Sequence, residues 1–151
     1  MKVCIGGTFD CLHKAHKKLI DNALKFAGDN GFLLIGLTTN KLLKNKKIKQ
    51  SYNTRKQKLI EYVNSKKNNP QTLIMPLYNK YGPSITDDFD IIVVSPNTYK
   101  TAEEINQIRI KKGLKPLKIK KIPIVLAEDK KPISSTRIRN KEIDINGIIV
   151  K

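Results

Sequence analysis

Short apolar runs alternate along the chain with stretches whose apolar residues recur at helical spacing, the pattern of strands exchanging with amphipathic helices. Residues 2–5 read as a first strand that ends in Gly6-Gly7. Over residues 14–26, Ala15, Leu19, Ile20, Ala23 and Leu24 share one helical face with Ala27 just beyond, and Gly28 and Gly31 stop the helix. Residues 32–37 form a continuous apolar run suited to a buried strand. A basic, irregular stretch over 38–50 leads to a second helix over about 53–64, with Leu59, Ile60 and Val63 turned inward. Residues 72–77 read as the third strand, followed by a turn at Tyr81-Gly82-Pro83-Ser84. Residues 90–95 are apolar on both faces, as in a buried parallel strand, and a helix over about 101–112 ends at Gly113. Residues 119–126 predict a fifth strand, and 134–140 open a last short helix after Pro132. This alternation predicts an α/β fold, a five-stranded parallel sheet flanked by helices with right-handed crossovers. With no repeat, linker or low-complexity segment, a single domain over residues 1–151 is expected, with a short C-terminal tail from about residue 141.

Composition narrows the class. Of 151 residues, 39% are hydrophobic and 28% charged, which fits neither a disordered nor a membrane-spanning chain. No run approaches the ~20 apolar residues of a membrane span, and the opening MKVCIGG turns polar far too soon for a signal peptide, so a cytoplasmic location is expected. Two cysteines, Cys4 and Cys11, exclude a disulfide framework. Lys and Arg number 30 against 13 Asp and Glu, a net charge of +17, so the surface attracts anions. Nucleic acid is one possible partner for such a surface. However, the basic residues include four arginines (Arg55, Arg109, Arg137 and Arg139) and aromatics make up 6% with no Trp, whereas base readout favours arginine and base stacking needs aromatics. A lysine-rich style of composition is the favoured reading, so neither nucleic acid nor membrane is expected as partner, with a basic nucleic-acid-binding module kept as the alternative; charge alone does not name the ligand.

In an open α/β sheet, ligands bind at the carboxyl ends of the strands, and three segments converge there. Gly6-Gly7-Thr8-Phe9-Asp10-Cys11-Leu12-His13-Lys14-Ala15-His16 runs from the first strand into the first helix. Its glycines allow close backbone approach to a phosphate, and the helix start behind them offers free N–H groups. It is neither a Walker loop nor a dinucleotide turn. His13 and His16 share one helical face and can donate to phosphate oxygens, cap the helix or hold a metal; no third ligand is evident for the last role. Ile133-Ser134-Ser135-Thr136-Arg137-Ile138-Arg139 forms a second anion cradle, or an ordinary Ser-capped helix with exposed basic residues. The third segment, 38–47, brings lysines that can hold the phosphate of a second substrate. Two phosphate cradles on one small sheet point to a polyphosphate ligand.

Together these segments resemble the Rossmann-like nucleotidyltransferase superfamily, marked by an HxGH motif and a distal ISSTxxR motif. Gly7-Thr8-Phe9-Asp10 with His13-Lys14-Ala15-His16 is similar to the first, with Ala15 in the usual glycine position, and 133–139 matches the second without a gap. Within the superfamily, this pair of motifs resembles the phosphopantetheine adenylyltransferase family. Tyr81-Gly82-Pro83, the segments 93–100 and 105–109, and Gly113-Leu114-Lys115-Pro116-Leu117 are similar to its archaeal and eukaryotic branch, where the first motif can also read HxAH.

That resemblance implies transfer of AMP from ATP to 4′-phosphopantetheine, giving dephospho-coenzyme A and pyrophosphate; a related transferase acting on nicotinamide mononucleotide is the neighbouring alternative. It also implies roles. His16 donates to the α-phosphate and His13 binds ATP phosphate beside it. Thr8, with Lys44 or Lys46, holds the attacking phosphate at the Gly6-Gly7 turn. Ser134, Ser135, Thr136 and Arg139 grip the β- and γ-phosphates, with Lys100 and Arg109 on the nucleotide side. Asp10 fixes its loop. No carboxylate cluster is present to cage a metal, so Mg2+ is expected to arrive with ATP.

Overall fold

The computed structural model describes residues 1–43, 48–67 and 70–151. Five strands, β1 (Lys2–Gly7), β2 (Phe32–Thr38), β3 (Gln71–Leu77), β4 (Ile91–Val94) and β5 (Lys118–Lys121), pair in the order β3-β2-β1-β4-β5. Every pairing is parallel, with Val3 beside Leu33 on one flank and Ile91 on the other. The predicted α/β, Rossmann-like architecture is therefore present. Four helices connect or follow the strands: α1 (Lys14–Ala27), α2 (Tyr52–Asn64), α3 (Tyr99–Lys111) and α4 (Ser135–Arg139).

Strand alternation sorts the core into two layers. Val3, Ile5, Leu33, Ile35, Leu37, Ile91 and Val93 pack with Leu19, Ile20, Ala23 and Leu24 of α1 and Leu59 and Val63 of α2. Cys4, Leu34, Ile92 and Val94 face the other way, against Ala102 and Ile105 of α3. The chain thus winds from β1 outward to β3 with helices on one face, then returns beside β1 and covers the other face. Between β1 and β4 the connections diverge, which opens a crevice at the strand ends where a ligand can enter.

Most boundaries fall within two residues of the sequence pattern, and two regions differ by more. The fifth strand ends at Lys121, five residues early. Ile122 N–H still donates to Val94 O, but Pro123 has no N–H to continue the ladder. The chain then leaves the sheet, and Ile133 N–H donates to Val125 O in a short loop that presents α4. Residues 141–150, read from the sequence as a tail, fold back over this loop. Ile143 is buried, Lys14 N–H donates to Ile145 O and Glu128 N–H to Gly147 O. No helix among the described residues is long and apolar enough to cross a membrane.

Candidate active site

The loop leaving β1 is tightly folded. Phe9 and Cys11 both adopt positive φ, 51° and 62°. A Cβ on Gly7 would lie 3.1 Å from the Phe9 ring, so glycine lets that ring fold back beneath the turn. Phe9 is buried and stands edge-on to His16, with ring centroids 5.2 Å apart. Gly6 is exposed, and Gly7 and Thr8 are half-buried.

His13 and His16 close the loop onto α1 with a reciprocal cap. His16 N–H donates to His13 Nδ1 at 3.3 Å, and His13 N–H donates to His16 Nδ1 at 3.2 Å. An imidazole that accepts at Nδ1 carries its proton on Nε2, so each ring is a neutral Nε2–H donor. The rings stack with centroids 3.6 Å apart. Burial lowers the His13 pKa from 6.5 to about 4. For His16, burial and then the neighbouring His13 push it well below its ordinary value. Capping and donation, which the sequence left as alternatives, are therefore compatible on the two edges of each ring.

Asp10 gathers the segments that the sequence only listed side by side. Its buried carboxylate accepts from Lys49 N–H and Gln50 N–H at 3.0 Å each and from Arg139 Nη1 at 2.7 Å. Its carbonyl accepts from Ser135 Oγ at 2.6 Å. The α4 segment is thus pinned to the β1 loop, and Asp10 is the loop fixture the sequence suggested. Within α4, Ser134 is the N-cap and accepts from Arg137 N–H, while Thr136 is exposed and accepts from Arg139 Nη2. Arg137 turns away to pair with Asp129 and Glu142.

Across the strand ends, a cavity of about 420 Å3 opens against the face covered by α3. Thr8, Thr38, Leu77, Tyr81 and Ala102 are among its walls. A Cβ on Gly36 would meet the Leu77 side chain at 2.8 Å, so this glycine makes room for Leu77 beside the cavity. At the rim, Lys80 and Tyr81 both bond Glu104 Oε2 at 2.8 Å. Tyr81 stands in a segment the resemblance covers, but its meeting with Lys80 and Glu104 joins separate segments and was not legible in the sequence.

Of the remaining candidates, Lys100 is exposed in the first turn of α3, at the same end of the sheet. Lys44 and Lys46 lie outside the described residues. Arg109 requires correction as a nucleotide-side candidate. It is 2% exposed, and its guanidinium donates inward to Ser84 O, Asp87 O and Lys115 O at 2.7–2.8 Å. Its charge braces the turn after β3 against α3. Arg55, 0% exposed, was missed for the same reason: a basic residue between polar neighbours reads as surface.

The cytidylyltransferase-like family model matches residues 4–141. A phosphopantetheine adenylyltransferase of Methanosarcina mazei is 45% identical over 99% of this chain and 97% of its own. Another, from Methanosarcina acetivorans, is 45% identical over 97% of this chain and 94% of its own. Among solved structures, a crystal structure of a protein of unknown function from Archaeoglobus fulgidus aligns with a TM-score of 0.74 and 34% identity, covering 89% of this chain and 100% of that one. With the histidine-bearing loop and α4 meeting at Asp10 on a doubly wound sheet, the chain belongs to the cytidylyltransferase-like family, within its phosphopantetheine adenylyltransferase branch.

Proposed function

We propose that this chain transfers the adenylyl group of ATP to 4′-phosphopantetheine, releasing dephospho-coenzyme A and pyrophosphate. The observation that carries the reading is the junction at Asp10, where the histidine-bearing loop and α4 are held together although 129 residues separate Asp10 from Arg139. The names and full-length similarity of the archaeal relatives support the acceptor.

The chemistry asks little of the side chains beyond placement and charge. A 4′-phosphate oxygen attacks the α-phosphorus in line, a new P–O bond forms, and the bond to the bridging oxygen of pyrophosphate breaks. The attacking phosphate is already largely ionised at neutral pH, with a second pKa of about 6, so no general base is needed. Catalysis then rests on positioning and on donors aimed at the charge that develops. His16 and His13 supply fixed Nε2–H donors to the phosphates, already in the required tautomer. Thr8 holds the acceptor phosphate, with Lys44 or Lys46 as its expected cation. Ser134, Ser135, Thr136 and Arg139 take the β- and γ-phosphates, with Arg139 exchanging part of its bond to Asp10 for phosphate. Lys100 adds positive charge at the nucleotide end, and the 420 Å3 cavity houses the pantetheine arm.

Magnesium is proposed to enter with the nucleotide. The described residues hold no group of three His, Cys, Asp or Glu side chains placed to bind a metal, and the Asp10 carboxylate is already occupied by three donors. The described residues thus build no cage for the ion, which when bound to ATP neutralises phosphate charge. The proposed compartment is the cytoplasm, where a biosynthetic transferase meets ATP.

An acceptor panel tests the reading. Protein, ATP and magnesium are incubated separately with phosphopantetheine, nicotinamide mononucleotide, glycerol phosphate and FMN, and products are read by mass spectrometry. Dephospho-coenzyme A from the first tube alone is the expected result. A nucleotidyl product from another tube instead would reassign the acceptor.

A further inference from the structure

Arg55 carries more of the site than its position suggests. It enters from the first turn of α2, and its guanidinium reaches four acceptors, three backbone carbonyls and one side-chain oxygen, on separate stretches of the chain. Nη1 donates to Thr8 O at 2.9 Å and to Thr38 O at 2.8 Å; Nη2 donates to Asn40 Oδ1 at 2.6 Å; Nε donates to Gln50 O at 3.2 Å. The loop after β1, the end of β2, the start of the lysine stretch and the approach to α2 are thus fastened to one planar group. The Tyr52 ring closes over it, with Cζ 5.8 Å from the centroid.

Two features bear on the role of Arg55. First, all four acceptors are neutral, and the carboxylate whose charge acts on it, Asp10, makes its ion pair with Arg139. Second, the carbonyls it holds are those of the acceptor side. A peptide's C=O and the following N–H point opposite ways. Binding Thr8 O therefore directs Phe9 N–H away from α2, just as binding Thr38 O leaves Thr39 N–H free to donate to Leu77 O at 3.0 Å. Arg109 makes the same kind of carbonyl contacts, but on the turn after β3 and at Lys115, away from Thr8.

We infer that Arg55 is a positioning residue for the acceptor phosphate: it sets Thr8 and the 38–40 segment in register. This inference rests on the acceptor assignment above. It predicts an effect on the acceptor without a matching effect on ATP, since His13, His16 and α4 are not bonded to Arg55.

The test compares wild type, Arg55→Lys, Asn40→Ala and Arg109→Lys in steady-state kinetics with ATP and phosphopantetheine varied separately, alongside thermal melts. Lysine keeps the charge and loses the fork. Asn40→Ala removes one acceptor from an exposed residue, so it serves if Arg55→Lys fails to fold. The expected result is an acceptor KM raised about tenfold in Arg55→Lys and severalfold in Asn40→Ala, with the ATP KM within about twofold of wild type. Arg109→Lys should lower the melting temperature and leave both KM values in place. Equal rises in both KM values, or an unchanged acceptor KM with a lowered melting temperature, would make Arg55 a plain structural brace. Absence of product from the wild type itself would instead overturn the acceptor assignment and this inference with it.

Discussion

At the residue scale, the paired histidines show how one side chain can do two jobs without charge. Because each Nδ1 is taken by a backbone amide, protonation of either ring would break the cap as well as place a charge in a desolvated loop. The unfolded chain accepts a proton near pH 6.5, whereas folded His13 resists until about pH 4. Between those values the unfolded state holds more protons, so stability is complete above 6.5 and declines as pH falls through that window. Urea midpoints at pH 7, 5.5 and 4.5 should fall in that order, and His13→Asn, which retains a capping side chain, should flatten the trend. His16→Ala should cut turnover by ~10²–10³, the usual cost of losing one transition-state donor, with a smaller effect on ATP binding; near-normal kcat would remove His16 from the chemistry. For Arg139→Ala, loss of a phosphate contact made equally in ground and transition states should raise the ATP KM more than it lowers kcat. An unchanged ATP dependence would leave Arg139 only its bond to Asp10.

Among the elements, α4 depends most on its surroundings. Five residues cannot sustain a helix alone. Its position comes from Ser135 and Arg139 on Asp10, and from a small core in which Ala127, Ile133 and Ile143 pack with Ala15 and Ile138. Ile143 is 1% exposed and comes from the stretch that the sequence presents as a tail. Ile143→Ala should cost ~2–5 kcal/mol by opening a cavity there, and it should raise the ATP KM because α4 loses its support. Denaturant melts and ATP kinetics on the same variant would check both. A loss of stability with unaltered ATP kinetics would separate this small core from the nucleotide site.

For the whole molecule, the +17 charge takes on a more specific meaning once the arginines are located. Arg55 and Arg109 are buried, and Arg137 and Arg139 are paired with carboxylates. Lysines therefore dominate the outward positive field, which suits capture of small polyanions by long-range attraction. Raising ionic strength from about 0.05 to 0.5 M shortens the screening length severalfold and should lower kcat/KM for both substrates while leaving kcat nearly constant. A salt-independent kcat/KM would confine the useful electrostatics to direct contacts.

What the sequence determined by itself was whatever depends on local periodicity and short motifs. The apolar runs of β1, β2 and β4 are buried whichever neighbours they acquire, so the alternating pattern specified the parallel α/β sheet. The GTFD–HKAH and ISSTRIR segments are each contiguous, so both motifs were legible before any contact was known. Tertiary structure alone decided which charges face the site. Local composition makes Arg55 and Arg109 look solvated, yet the two rank as the largest fully buried side chains, because distant backbone carbonyls replace water around them. The bond from Arg139 to Asp10, the junction at Ser135 and the folding back of Ile143 join parts of the chain with no shared periodicity. Their energy arises only when the sheet has closed and brought those ends together.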